Sequence, residues 1–197
     1  MTFGGLLAAL LLTRAEAACT APDRPLRSAS TSFIAPVAPG PVHVTAEVLR
    51  SGSSLTQISA TVAQDGAPAA VMLASFGRSR PSAVEIDAEQ RAPAPELPGP
   101  AGLEPIRPAP GITPEFFAHL DVRFAAGAVP YSGAREPDFG GWMRFATPPR
   151  EFTTAHLLAL TDAWPPSLLP MFPAPAPGSS VSWMWSPVGE PDDGADD

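Results

Sequence analysis

The sequence predicts an α+β protein in which an antiparallel sheet is wrapped around a helix. Three observations carry that reading. An apolar segment of helical character, FGGLLAALLLTRAEAA (3–18), lies near the start of the chain. Stretches in which apolar and polar residues alternate follow it, the pattern of strands with one buried face. Asp65-Gly66, between two such stretches, is a strong tight-turn signal. A helix covered by successive antiparallel strands is a stable layered arrangement.

Each element has its own signal. In Gly5–Ala18, Leu6, Leu7, Leu10 and Leu11 recur at i, i+1, i+4 and i+5 with alanines between them, a broad apolar face suited to packing under a sheet. A short strand at Arg24-Pro25-Leu26 and a Pro/Gly-rich corner come next. From Val42 to Val48 the apolar positions 42, 44, 46 and 48 alternate with His43, Thr45 and Glu47. An Arg-Ser-Gly-Ser-Ser turn (50–54) leads into Thr56–Val62, where Ile58, Ala60 and Val62 alternate with Gln57, Ser59 and Thr61. After Asp65-Gly66 the run Ala69–Phe76 closes a hairpin.

Arg80 to Pro114 interrupts this order. Its nine prolines remove backbone donors and cannot occupy central strands, so the segment reads as an extended linker. Beyond it, Leu120–Ala125 and Gly141–Ala146 are short strand candidates. Thr153 or Thr154 caps a helix, TTAHLLALTDAW, with Leu157, Leu158 and Leu160 as its apolar face and Pro165-Pro166 as its stop. Ser180–Ser186 is the last strand candidate. The expected organisation is a first unit at 1–79, a linker at 80–114, a partial second unit at 115–186 and an acidic, disordered tail at 187–197.

Composition excludes several function classes. A net charge of −8 argues against nucleic acid or an anionic membrane as partner, since both require basic surface. Glu190, Asp192, Asp193, Asp196 and Asp197 form a charge block of the solvated, tail-like kind. All twelve basic residues are Arg. A single cysteine, Cys19, allows no internal disulfide and fits a reducing compartment, hence a cytoplasmic location. The apolar run Leu6–Leu12 has the look of a signal peptide, but no basic residue precedes it and Arg14 and Glu16 fall where small cleavage-site residues belong. It is also far short of the ~20 residues of a membrane span. A buried helix is the favoured reading and a secretory N-terminus the alternative.

Phe3-Gly4-Gly5, Arg24-Pro25-Leu26, Phe33 to Pro36 and Leu49 to Ser53 resemble the FGG helix start, RPL-S strand, F-x-P corner and LR-G-S turn of the acyl-CoA thioesterase II family. That resemblance implies a double hot-dog fold with an incomplete second unit, and a chain truncated at both ends relative to the family. It implies an acyl-CoA substrate, hydrolysis to free fatty acid and CoA, a role in fatty acid metabolism, and no cofactor or metal. By analogy with hot-dog proteins it also implies a homo-oligomer.

Site residues follow from the same resemblance. The segment HLLALTDAWPPSLLPMF (156–172) is similar to the family segment in which an Asp near the end of a helix orients the attacking water. Asp162 takes that position. A carboxylate in a half-buried setting suits the task, and a helix C-terminus is otherwise an unfavourable place for it. Ser180, with Ser179 as rival, falls where the family has a hydroxyl residue that assists. The Gly4-Gly5 start exposes helix N–H groups, so the Gly5 amide is the candidate for polarising the thioester carbonyl; close packing of the helix is the competing explanation for the two glycines. The family's third partner, a Gln on a later strand, has no counterpart here, and Gln64 belongs to a turn. That gap supports the alternative of a catalytically inactive acyl-CoA-binding or assembly module.

The remaining candidates are weaker. His43, His119 and His156 share no metal-ligand spacing. Trp142, Trp164, Trp183 and Trp185 read as core residues, with Trp183 and Trp185 able to line an acyl pocket from one strand face. No GxGxxG or GxxxxGK phosphate loop and no GxSxG nucleophile elbow is present.

Overall fold

The computed structural model describes residues 2–81, 83–84, 93, 95–109, 111, 113–176 and 178–187. The acidic segment from 188 to 197 therefore lies outside the described residues. The chain divides into two compact units, but not in sequence order. The first comprises Met1–Ser79, Arg150–Ala163 and Gly178–Asp197; the second comprises Arg80–Pro149 and Trp164–Pro177.

The first unit contains helix α1 (Gly4–Ala18) and strands β1 (Leu26–Phe33), β2 (His43–Ser51), β3 (Leu55–Gln64) and β4 (Ala67–Gly77). Helix α2 (Thr154–Ala163) and strand β7 (Ser182–Trp185) return to it from later in the chain. Its sheet is antiparallel throughout, in the order β2-β3-β4-β1-β7. The expected alternation decides which side is buried. Thr56, Ile58, Ala60 and Val62 of β3 and Ala70, Met72, Ala74 and Phe76 of β4 face the core, while the residues between them point away. Asp65 and Gly66 both adopt positive φ, 51° and 81°, as a two-residue hairpin turn of primed type demands.

The helix packs by a different face from the one the leucine spacing suggests. Leu7, Ala8, Leu11, Leu12 and Ala15 are buried, whereas Leu6 and Leu10 are exposed. Because residues 6–12 are apolar all round, the sequence carried no polar face to orient the helix. In α2 the buried stripe is Ala155, Leu158, Ala159 and Ala163, with Leu157 and Leu160 only partly covered. Three alanines at i, i+4 and i+8 leave little bulk, and α2 packs against α1 with Ala159 beside Gly5.

Arg24 explains why the Arg-Pro-Leu and Arg-Ser-Gly-Ser segments belong together. Its guanidinium donates to Thr56 Oγ1 (2.6 Å), Gly52 O (2.9 Å), Ser53 O (3.2 Å) and Ser51 Oγ (3.3 Å). It thereby ties the approach to β1 to the β2–β3 turn, using the planar donor fork that only Arg has. Gln64 makes a similar brace. Its amide bonds both backbone groups of Ala38, at 2.9 and 3.0 Å, fixing the Pro/Gly-rich corner against the end of β3.

The second unit is built on the hairpin β5 (Leu120–Gly127) and β6 (Phe139–Phe145). Its register sets Asp121 opposite Arg144, and Arg123 on the same face completes an ion cluster: Arg123 Nε and Nη2 reach the two Asp121 oxygens at 2.9 and 3.0 Å. The Arg123 guanidinium, helped by Arg144, holds the Asp121 carboxyl below its ordinary range. Phe124, Phe139 and Trp164 form an aromatic cluster with centroids 5.5–5.6 Å apart.

The Pro-rich stretch is docked where it is described. Trp142 Nε1 donates to Pro98 O (2.7 Å), Arg123 Nη1 to Pro100 O (2.8 Å) and Leu103 O (3.0 Å), and Ile106 N–H to Val122 O (2.7 Å). Proline lacks a donor but keeps its carbonyl acceptor, and the hairpin supplies the donors. Among the described residues, no helix is long and apolar enough to cross a membrane.

Candidate functional site

Two of the candidate residues meet. Asp162 lies one residue from the end of α2, and its carboxylate accepts the N–H of Gly5 in the first turn of α1. The C-terminus of its own helix disfavours this negative charge, but the N-terminus of the neighbouring helix favours it. The contact therefore accounts for an acidic residue that is misplaced when α2 is considered alone. Burial raises the pKa of Asp162 from its ordinary value, and the Gly5 amide draws it partly back. The result is a half-buried carboxylate with the Gly5 backbone amide as a partner, a setting that suits a proton acceptor.

The paired glycines serve two separate ends. A Cβ built on Gly5 would stand 2.6 Å from the carbonyl oxygen of Ala159 and would also collide with the Phe3 ring. Gly5 thus permits the close backbone approach of α1 to α2. A Cβ built on Gly4 would lie 2.9 Å from Asp162 Oδ2 and 3.4 Å from Phe33 Cζ. The carboxylate and the Phe33 ring at the end of β1 both border the space beside Gly4.

The start of α2 is secured at Thr153, one of the two threonines expected to cap it. Thr153 O accepts the Leu157 N–H at 3.1 Å. Thr153 N–H donates to His156 Nδ1 at 3.2 Å, and Thr153 Oγ1 lies 2.8 Å from the same nitrogen. The bond from the Thr153 N–H to the His156 side chain is the half of a capping box that Glu or Gln usually supplies. It assigns His156 a structural task at the helix that carries Asp162.

Ser180 is not brought into hydrogen-bond contact with Asp162, and neither is Ser179; both are exposed. The strand expected to open at Ser180 opens at Ser182. The neighbour of Ser180, Val181, meets Phe33. The Phe33 N–H donates to the carbonyl of Val181, the residue after Ser180, at 2.9 Å, and the Phe33 ring faces Gly4. Trp183 and Trp185 pair with Thr31 and Ala29 and are packed, partly buried, against the core.

Phe33 is the site residue that the spacing of polar groups could not reveal, because it contributes a wall and no polar atom. The available signal was its place in the Phe33–Pro36 corner. Two concavities of the first unit lie elsewhere. One, of about 210 Å³, is lined by Glu16, Cys19, Arg24, Phe76 and Thr154 among others, and burial raises the Glu16 pKa there. The other lies at Pro41–His43 and Asp65-Gly66. Neither takes in Asp162.

Comparison with known proteins returns one family. The model of the acyl-CoA thioesterase N-terminal domain matches residues 1–77, and that of the acyl-CoA thioesterase C-terminal domain matches residues 88–197. Among solved structures, a hot-dog protein of unknown function from Alicyclobacillus acidocaldarius is similar at a TM-score of 0.78 and 26% identity, with 96% of this chain and 68% of that one covered. A candidate thioesterase II from Thermobifida fusca YX gives 0.72 and 22%, covering 94% and 68%. The acyl-CoA thioesterase II TesB2 from Mycobacterium marinum gives 0.56 and 22%, covering 81% and 57%. These likenesses bear out the hot-dog fold that the sequence motifs implied. Among curated proteins no sequence matches the chain.

Proposed function

We propose that this chain, which belongs to the acyl-CoA thioesterase family, hydrolyses an acyl-CoA to a free fatty acid and CoA with a water held by Asp162. The observation that carries the proposal is the Asp162 carboxylate itself: half-buried, raised in pKa and held by the Gly5 amide. In this reading the water oxygen attacks the thioester carbon while Asp162 takes the water proton. The tetrahedral intermediate then expels the CoA thiolate, which leaves protonated by the same carboxyl group. No acyl-enzyme forms. Ser180 assists by a hydrogen bond to the water.

The role of Gly5 narrows in the light of its partner. Its N–H is already donated to Asp162, so it orients the carboxylate that holds the water. Polarising the thioester carbonyl with the same amide would require the carboxylate to move off it.

A second reading, an acyl-CoA-binding module without turnover, draws support from one observation. Among the described residues neither Ser180 nor a glutamine side chain is hydrogen-bonded to Asp162. Thermal shift and thiol release measured on the same sample separate the two. Acyl-CoA that raises Tm and is consumed supports hydrolysis, and acyl-CoA that raises Tm and persists supports the binding module.

A further inference from the structure

We propose that Gly4 is a positioning residue for the reaction assigned above: the side chain it lacks leaves the slot in which the Asp162 carboxylate sits, and Phe33 walls that slot. The catalytic consequence rests on the proposed hydrolysis. The slot itself rests on geometry alone.

The backbone does not demand glycine at position 4. Gly4 is not among the residues with positive φ, which include Gly40, Gly66, Gly111, Gly127 and Gly133. It is the first residue of a helix, where alanine would be the better helix former. What glycine supplies there is room. The built Cβ lies 2.9 Å from Asp162 Oδ2, closer than real Cβ contacts come, and 3.4 Å from Phe33 Cζ. Phe33 and the backbone beside the slot cannot withdraw freely. Phe33 is held at the end of β1, paired with Ala70 and bonded through its N–H to Val181 O. The backbone beside the slot is pinned where Gly5 meets the Ala159 carbonyl. The Asp162 carboxylate, on a short side chain with two torsions, is the part that would turn aside, and turning takes it away from the Gly5 N–H.

Gly4 and Gly5 are therefore distinct in purpose. Gly5 gives the amide and the close helix approach, and Gly4 gives the space that lets the carboxylate reach that amide. A displacement of the order of an ångström at a group that holds the reacting water lowers turnover by about 100-fold.

The test is a double-mutant cycle of Gly4→Ala and Asp162→Ala, read first by Tm. Gly4→Ala is expected to lower Tm in the Asp162 background and to leave it unchanged or raise it once Asp162 is alanine. The second readout is the Gly5 amide proton in NMR. In the wild type its shift follows the ionisation of Asp162; in Gly4→Ala that pH-dependent shift is expected to be lost. In kinetics, Gly4→Ala is expected to lower kcat by about 100-fold with KM within about twofold. Equal Tm losses in both backgrounds, or unfolding in both, would overturn the slot, as would a Gly5 amide in Gly4→Ala that still follows the carboxylate. The cycle and the NMR titration decide the slot even if the wild type hydrolyses no acyl-CoA, so failure of the reaction and failure of the slot are told apart.

Discussion

The Asp162 carboxylate caps a helix that is not its own: it accepts the Gly5 amide at the start of α1 from the far end of α2. This contact adds to the packing of the two helices of the first unit and partly offsets the rise that burial gives the pKa of the candidate base. It also gives opposite signs to stability and activity at the same residue.

Stability at Asp162 should fall as pH rises. A carboxyl whose folded pKa is raised binds its proton more tightly in the folded state than in the unfolded one. Its ionisation therefore costs stability between the ordinary carboxylate pKa and the raised one. Asp162→Asn removes that cost while keeping an oxygen for the Gly5 amide. Thermal melts should show Asp162→Asn with a higher Tm than the wild type near neutral pH. The difference should vanish in acid, below the ordinary carboxylate range.

Activity should run the other way. The base works only when ionised, so kcat should fall as pH drops through the raised pKa of Asp162. A pH profile of kcat whose acid limb lies above the position expected of an unperturbed aspartate would agree. A limb at or below that position would remove Asp162 as the titrating base.

Arg24 should matter to folding and not to chemistry. Its guanidinium holds Thr56 and the carbonyls of Gly52 and Ser53. Arg24→Ala should cost about 2 kcal/mol, the net worth of charge-assisted hydrogen bonds of this kind. Arg24→Lys should recover little of it, because one ammonium cannot reproduce the fork. Denaturant melts of the two variants measure both.

Gly5→Ala should destabilise by about 1–3 kcal/mol through overpacking, since its Cβ would meet the Ala159 carbonyl and the Phe3 ring. A denaturant midpoint equal to that of the wild type would show that α1 and α2 are not in close backbone contact in solution.

Much of the first unit was legible in the sequence because its strands alternate cleanly from Val42 to Val62 and its hairpin carries Asp65-Gly66. The packing face of α1 was not, because Leu6 through Leu12 offer no polar residue to mark the solvent side. The Pro-rich stretch looked unanchored because prolines lack donors, yet the carbonyls of Pro98, Pro100 and Leu103 take hydrogen bonds from Trp142 and Arg123. Asp162 and Gly5 were each visible as candidates through the family resemblance, with the odd position of Asp162 on its helix and the glycine pair as added signals. Their pairing was not, since it joins elements far apart in the chain and depends on α2 returning to the first unit. Ser180 was placed by the family resemblance at the opening of a strand, and the strand begins two residues later.

The most direct test is free-thiol release from a chain-length series of acyl-CoAs by the purified 197-residue protein, with Asp162→Asn assayed alongside. Release that falls by at least about 100-fold in Asp162→Asn, with the variant still folded, is the result the account predicts. Release that survives the substitution undiminished would contradict it.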